Sequence, residues 1–193
     1  MEFGVFVGES LEDFSGVTIQ DYIPRIKHWD VASDPDNRGG KVEQFMKTVL
    51  SLFDTTFIST VAGSKLDVKG VDFLIHSPRL NKFIGIQAKT SYSGVLHYKK
   101  NGDMGDRIII TWVNLQDRAK RKNFLFKLIA ELKRLKINLN NEFHILKEKV
   151  NNFHSRKIKL RNVNSLFTAN ELDLLKLLGL VYVDSKGRYT FID

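Results

Sequence analysis

The sequence predicts an α/β domain, a central mixed β-sheet flanked by helices, with a basic helical C-terminal region. Three observations predict it. Val42, Phe45, Met46, Val49, Leu52 and Phe53 recur at three- and four-residue intervals, as one buried helix face requires. Two strand-like runs, VDFLIH and KFIGIQAK, are separated by SPRLN, a short connection that suits a hairpin. A third run, DRIIITWVN, leads into DRAKRKNFLFKLIAELKRLK at 117–136, where Phe124, Leu128, Leu132 and Leu135 line one side of a helix.

Three regions follow in order: an N-terminal segment (1–37), a core (38–136) and a basic C-terminal extension (137–193) packed on that core. In the first, GVFVGESLEDF can hold a short strand, YIPRIKHWD is irregular and SDPDNRGG is a polar turn. A helix starts near Lys41. TTFISTVA, rich in β-branched and aromatic residues, reads as a strand, and GSKLDVKG reads as a turn. After the VDFLIH–KFIGIQAK hairpin, residues 90–106 are loop-like, with a short strand at VLHY. FHILKEKVNNF has helical tendency. In the tail, Thr168 stands three residues before Glu171 as a capping box, and a hairpin turns at Asp184–Gly187. That helix and hairpin fit either a partial wing or an edge of the main sheet.

The chain of 193 residues is long enough to bury a sizeable core. It has no cysteine, which excludes disulfides and thiolate metal sites. No apolar run approaches the roughly 18 residues of a membrane span. Glu2, Glu9, Glu12 and Asp13 stand where a signal peptide needs a basic and then an apolar stretch, so a soluble cytoplasmic protein is expected. The formal charge of +8 is regional: Arg118–Arg161 holds 14 Lys and Arg against 3 Asp and Glu. Such a concentration suits a polyanionic partner, a nucleic acid above all, whether DNA or RNA. Arg118, Lys120, Arg121, Lys122 and Lys127 are the candidate phosphate contacts.

Polar residues sit at the ends of the hairpin strands. Gln87 and Lys89 alternate onto one face of the second strand, and Asp72 opens the first. An acid, an amide and an amine can therefore converge. Mg²⁺ is held by oxygen ligands, one or two carboxylates and several waters. Asp72 and Gln87 can supply such oxygens, Glu43 on the first helix a second acid, and Lys89 can stabilise charge on an attacked phosphate. Asp67 in the preceding turn competes for the same cation, and Glu9 and Glu12 substitute if the first helix lies earlier.

The stretch RGGKVEQFMKTVLSLF…GVDFLIHSP…FIGIQAKTS resembles the PD-(D/E)XK nuclease superfamily, with its restriction-endonuclease-like fold. Within it, the chain is similar to the Mrr-like and archaeal Holliday-junction-resolvase branch. That pattern sets a helix glutamate, a glycine-preceded aspartate on one strand and an acid-x-lysine or Gln-x-Lys on the next. Glu43, Asp72, Gln87 and Lys89 match it one by one, and Ser91 falls where a small polar residue is common. The resemblance covers residues 38–92 and implies Mg²⁺-dependent hydrolysis of DNA phosphodiesters by these four residues. Mn²⁺ would substitute for Mg²⁺, and a homodimer is implied. Two departures stand out: the second acid is Gln87, and the helix expected after the lysine strand finds no helical pattern in 90–106.

Each residue also has a plainer reading. Aspartate opens turns anywhere, an exposed lysine deters edge pairing, and glutamate near a helix start favours the macrodipole. A binding protein that keeps the fold without the chemistry is the second hypothesis, favoured by Gln87. The five histidines, at 28, 76, 97, 144 and 154, lack zinc-ligand spacing, although His76 and His97 can approach the pocket. Tyr92, Tyr98 and Trp112 can stack on bases, with core packing the stronger use of Trp112.

Overall fold

A computed structural model describes residues 3–7, 38–60, 64–101, 108–153 and 157–192. The elements in order are β1 (Phe3–Val7), α1 (Arg38–Leu50), β2 (Phe57–Ser59), α2 (Lys65–Val68), β3 (Phe73–Ser77), β4 (Lys82–Lys89), α3 (Tyr92–Asn101) and β5 (Ile109–Val113). There follow α4 (Arg118–Arg134), α5 (Asn141–Asn151), β6 (Lys157–Lys159), α6 (Leu160–Val163), α7 (Ala169–Leu177), β7 (Val181–Val183) and β8 (Arg188–Phe191). ESLEDF, YIPRIKHWD and SDPDN, with Glu9, Glu12 and His28, lie outside the described residues, as do residues 61–63 and His154.

The main sheet is mixed, with five strands in the order β1-β5-β4-β3-β2. β3 and β4 form the expected antiparallel hairpin, Phe73 opposite Ile86 and Ile75 opposite Ile84. β5 lies parallel to β4, with Gln87 beside Ile110 and Lys89 beside Trp112. Parallel neighbours need a crossover long enough to return the chain, and α3 lies within it.

That helix corrects the loop and VLHY strand expected over 90–106. The Ser91 hydroxyl accepts the Gly94 N–H at 3.2 Å as an N-cap does. Tyr92, Val95 and Tyr98 then form a stripe against Trp112, Ile108, Ile110 and Leu74. Ser and Gly weaken the local helical preference, and burial of that stripe overrides it. The GSKLDVKG turn likewise contains a one-turn helix, α2, capped by Ser64 Oγ on the Asp67 N–H at 3.2 Å.

Alternation along the strands gives each sheet face its own core. Phe73, Ile75, Ile84, Ile86, Ile109 and Val113 face α1, α4 and α5, in a cluster that also takes in Leu172, Leu175, Val181 and Phe191. The C-terminal elements thus pack on the core continuously. Their strands form a separate sheet, order β6-β8-β7, so the hairpin is no edge of the main sheet. The Thr168 capping box on α7 is present. Among the described residues, no helix is long and apolar enough to cross a membrane.

The start of α4 joins the two parts. Arg121 donates to the carbonyls of Leu177 (2.9 Å) and Lys176 (3.4 Å) at the end of α7, and to that of Leu115. Arg118 lies 4.2 Å from the Tyr182 ring centre. Gly179 sits between them with φ +77°, and a Cβ there would stand 2.5 Å from the Arg118 carbonyl oxygen. Gly179→Ala is therefore expected to destabilise the protein by about 1–3 kcal/mol. Urea denaturation measures this, and an unchanged midpoint would show that the junction adapts freely.

Candidate active site

The strand ladder between β3 and β4 ends at Asp72, and the site begins there. Continuing the register of Phe73 with Ile86 sets Asp72 opposite Gln87. The backbone N–H of Ala88, which β3 no longer reaches, donates to Asp72 Oδ2 at 2.7 Å. Gln87 Nε2 donates to the same oxygen at 2.6 Å. Lys89 follows two residues on, on the same strand face as Gln87. Glu43 arrives from α1 on the other side of the sheet.

All four line one cavity of about 460 Å³, with Asp67 and Gly70 on its wall. The structure thus brings together the four residues that the sequence singles out, together with the competing acid. Gly70 is required by geometry: its φ is +73°, and a Cβ would stand 2.6 Å from the Tyr98 ring. The Tyr98 hydroxyl donates to the Gly70 carbonyl at 3.1 Å, and the Lys89 ammonium lies 4.9 Å from the Tyr98 ring centre. Tyr98 therefore props both the turn and the lysine. Sequence reasoning missed this role because it missed α3; the three-residue spacing of Tyr92, Val95 and Tyr98 was the available signal.

The electrostatics are those of two acids held against their preference. Burial pushes the Asp72 carboxyl up to about 7; the Ala88 N–H, Lys89 and the Gln87 amide oppose this, and the Glu43 charge adds to it. Burial also raises the Glu43 carboxyl, with Lys47 and Lys89 pulling down and Asp67 pushing up. Tyr98 is pushed up to about 12 by burial and by the Asp72 charge, so it stays a neutral donor.

Gln87 is buried, at 4% exposure, and its Oε1 finds no donor among the described residues. An ionised Asp72 holds the amide with its NH₂ towards the carboxylate, which leaves that oxygen unpartnered. Such an orphan costs about 1–3 kcal/mol unless something satisfies it. Carboxylate and amide oxygens are the donor types that a hard divalent cation takes, with several waters kept. Among the described residues, no three His, Cys, Asp or Glu side chains gather as a metal-ligand cluster.

The basic residues are placed differently. None of Arg118, Lys120, Arg121, Lys122 and Lys127 lines the cavity. Arg121 and Arg118 are engaged in docking α4 on α7 and β7. Lys120 pairs with Asp117 at 3.5 Å, Lys122 lies 5.6 Å from the Phe126 ring centre, and Lys127 is exposed. His76 packs on Phe83 and His97 bonds Asn101; neither lines the cavity. Tyr92 packs on Trp112, itself buried.

The raised Asp72 pKa sets a pH dependence. Between the ordinary carboxylate range and about 7, the unfolded chain releases this proton while the folded one keeps it. Its contribution to stability is therefore full at acid pH and lost as pH rises through about 7. Asp72→Asn keeps an acceptor for Ala88 N and Gln87 Nε2 but cannot ionise. In EDTA at about pH 8 it is expected to melt some 2–4 °C above the parent, a gap that closes towards about pH 5. A gap independent of pH in thermal melts would show that Asp72 is not the ionising group.

Comparisons with protein-family models, with curated proteins and with solved structures each return no match for this chain, so its function rests on the chemistry of the cavity itself.

Proposed function

We propose that this protein is a metal-dependent nuclease of the restriction-endonuclease-like type that hydrolyses DNA phosphodiester bonds. The observation that carries the reading is the convergence of Glu43, Asp72, Gln87 and Lys89, from a helix and two strands, on one cavity. The element order supports it. The run α1-β2-β3-β4-α3-β5, with β5 parallel to β4, supplies the helix and strand that the superfamily resemblance implies after the lysine strand.

Asp72, Glu43 and the Gln87 amide oxygen would hold Mg²⁺, or Mn²⁺ in its place. When bound, the cation supplies Lewis-acid stabilisation of phosphoryl oxygen and a more acidic water. The residues do the rest. Asp72 is oriented by the Ala88 N–H and the Gln87 amide, so its position does not depend on side-chain freedom. Lys89 places a positive charge beside the phosphoryl oxygens, where negative charge grows as water adds to phosphorus. As the phosphorus–oxygen ester bond breaks, the added water gives up a proton to solvent, and the departing oxygen takes a proton from solvent and leaves as a hydroxyl. The net charge of +8 supports DNA as the polyanion. A homodimer belongs to the same proposal.

A second reading has one observation behind it: glutamine replaces an acid at position 87, which weakens cation binding. On that reading the chain binds nucleic acid without cutting it. Incubation of supercoiled, linear, single-stranded and four-way-junction DNA with Mg²⁺, Mn²⁺ or EDTA separates the two. The nuclease reading expects metal-dependent products whose rate falls by about 10²-fold or more in Lys89→Ala and Asp72→Ala. No cutting of any substrate, with retarded DNA still seen on gels, would leave the binding reading standing alone.

A further inference from the structure

A second groove adjoins the candidate active site. Because β4 and β5 are parallel, their C-terminal ends lie side by side, Lys89 next to Trp112. The segments that follow, Thr90–Ser91 and Asn114–Gln116, therefore emerge together. With Lys41 of α1 they line a groove of about 620 Å³. Thr90 lines both spaces, so the two adjoin at the end of β4.

Their chemistry differs. The cavity carries Glu43, Asp67 and Asp72. Among the described residues the groove has no carboxylate: its wall is Lys41, the hydroxyls of Thr90 and Ser91, the amides of Asn114 and Gln116, and the apolar surface of Leu115. Asn114 Oδ1 accepts the Gln116 N–H at 3.0 Å, which fixes the turn and the direction of Gln116. The Gln116 side chain is exposed and its amide makes no hydrogen bond among the described residues.

An internal phosphodiester carries chain on both sides, and its flanking phosphates are repelled by uncompensated acids. A strand passing through the cavity must leave by surface that lacks them. This groove offers a cation for phosphate, apolar surface for a sugar, and an amide able to bond a base edge in two places, as glutamine does with adenine. We infer that the groove seats the nucleotide next to the scissile phosphate, so that the protein acts within a polynucleotide strand and senses one flanking base through Gln116. This rests on the nuclease reading of the adjoining cavity.

Two substrates separate the groove from the cavity. Bis(p-nitrophenyl) phosphate reaches only the cavity, whereas a DNA oligonucleotide engages both. In Lys41→Glu and in Gln116→Trp, which narrows the groove, kcat/KM for the oligonucleotide relative to the small ester is expected to fall by about tenfold or more. Gln116→Ala should flatten the base preference at one position beside the cut. A ratio unchanged in both variants would overturn the groove while leaving the cavity intact. If the parent hydrolyses neither substrate, the nuclease reading fails, and the groove is judged by fluorescence anisotropy of a labelled oligonucleotide in EDTA. There, about tenfold weaker binding in Lys41→Glu supports it, and equal binding overturns it.

Discussion

Asp72 Oδ2 takes two hydrogen bonds, from the Ala88 backbone and the Gln87 amide, and much of the site follows from that one oxygen. The carboxylate stands in for a strand partner where the β3–β4 ladder ends. It thereby fixes the spacing of the two strands at the cavity mouth. It also fixes the amide of Gln87, since a carboxylate draws the NH₂ group towards itself. The unpartnered Gln87 Oε1 follows from this arrangement, whereas burial raises the Asp72 pKa against the same two hydrogen bonds. Fully protonated, the pair would be comfortable; ionised, it calls for a positive charge. Lys89 supplies part of that charge, held beside the Tyr98 ring.

The fold brings these groups together by using both faces of the sheet. α1 packs its apolar stripe on one face and delivers Glu43 past the end of β4. α3 packs on the opposite face and braces Gly70 and Lys89 through Tyr98. The parallel pairing of β4 and β5 adds a third contribution, because it sets two strand ends and the segments after them in one place. Cavity and groove are thus properties of topology first and of side chains second.

Long periodic elements were legible in the sequence, as were the four cavity residues. The α1 stripe is buried as its spacing requires, the β3–β4 hairpin pairs as its alternation requires, and α4 and the α7 capping box are where their patterns put them. What stayed hidden depends on contacts distant in sequence. α3 has a serine-rich, glycine-bearing start with little intrinsic helicity, and it forms because Tyr92, Val95 and Tyr98 meet Trp112 and its neighbours. The separate C-terminal sheet could not be told from an edge of the main one, since strand partners are not written in a short hairpin's own pattern. The roles of Arg118 and Arg121 were likewise invisible, because charge counts do not say which cations the fold itself engages.

Part of the basic character of α4 serves to hold the C-terminal elements in place, so the net charge alone argues for a polyanion less strongly than its size suggests. The cavity argues independently. A protein that only binds nucleic acid gains nothing from two carboxylates raised by burial beside an orphan amide oxygen; each weakens the fold and repels phosphate. Such features are tolerable where a cation and a reacting phosphate relieve them together. The adjoining groove, whose described lining has no acid, sharpens the contrast with the acidic cavity. On the proposed reading, the cavity acts at one phosphate while the groove grips the next.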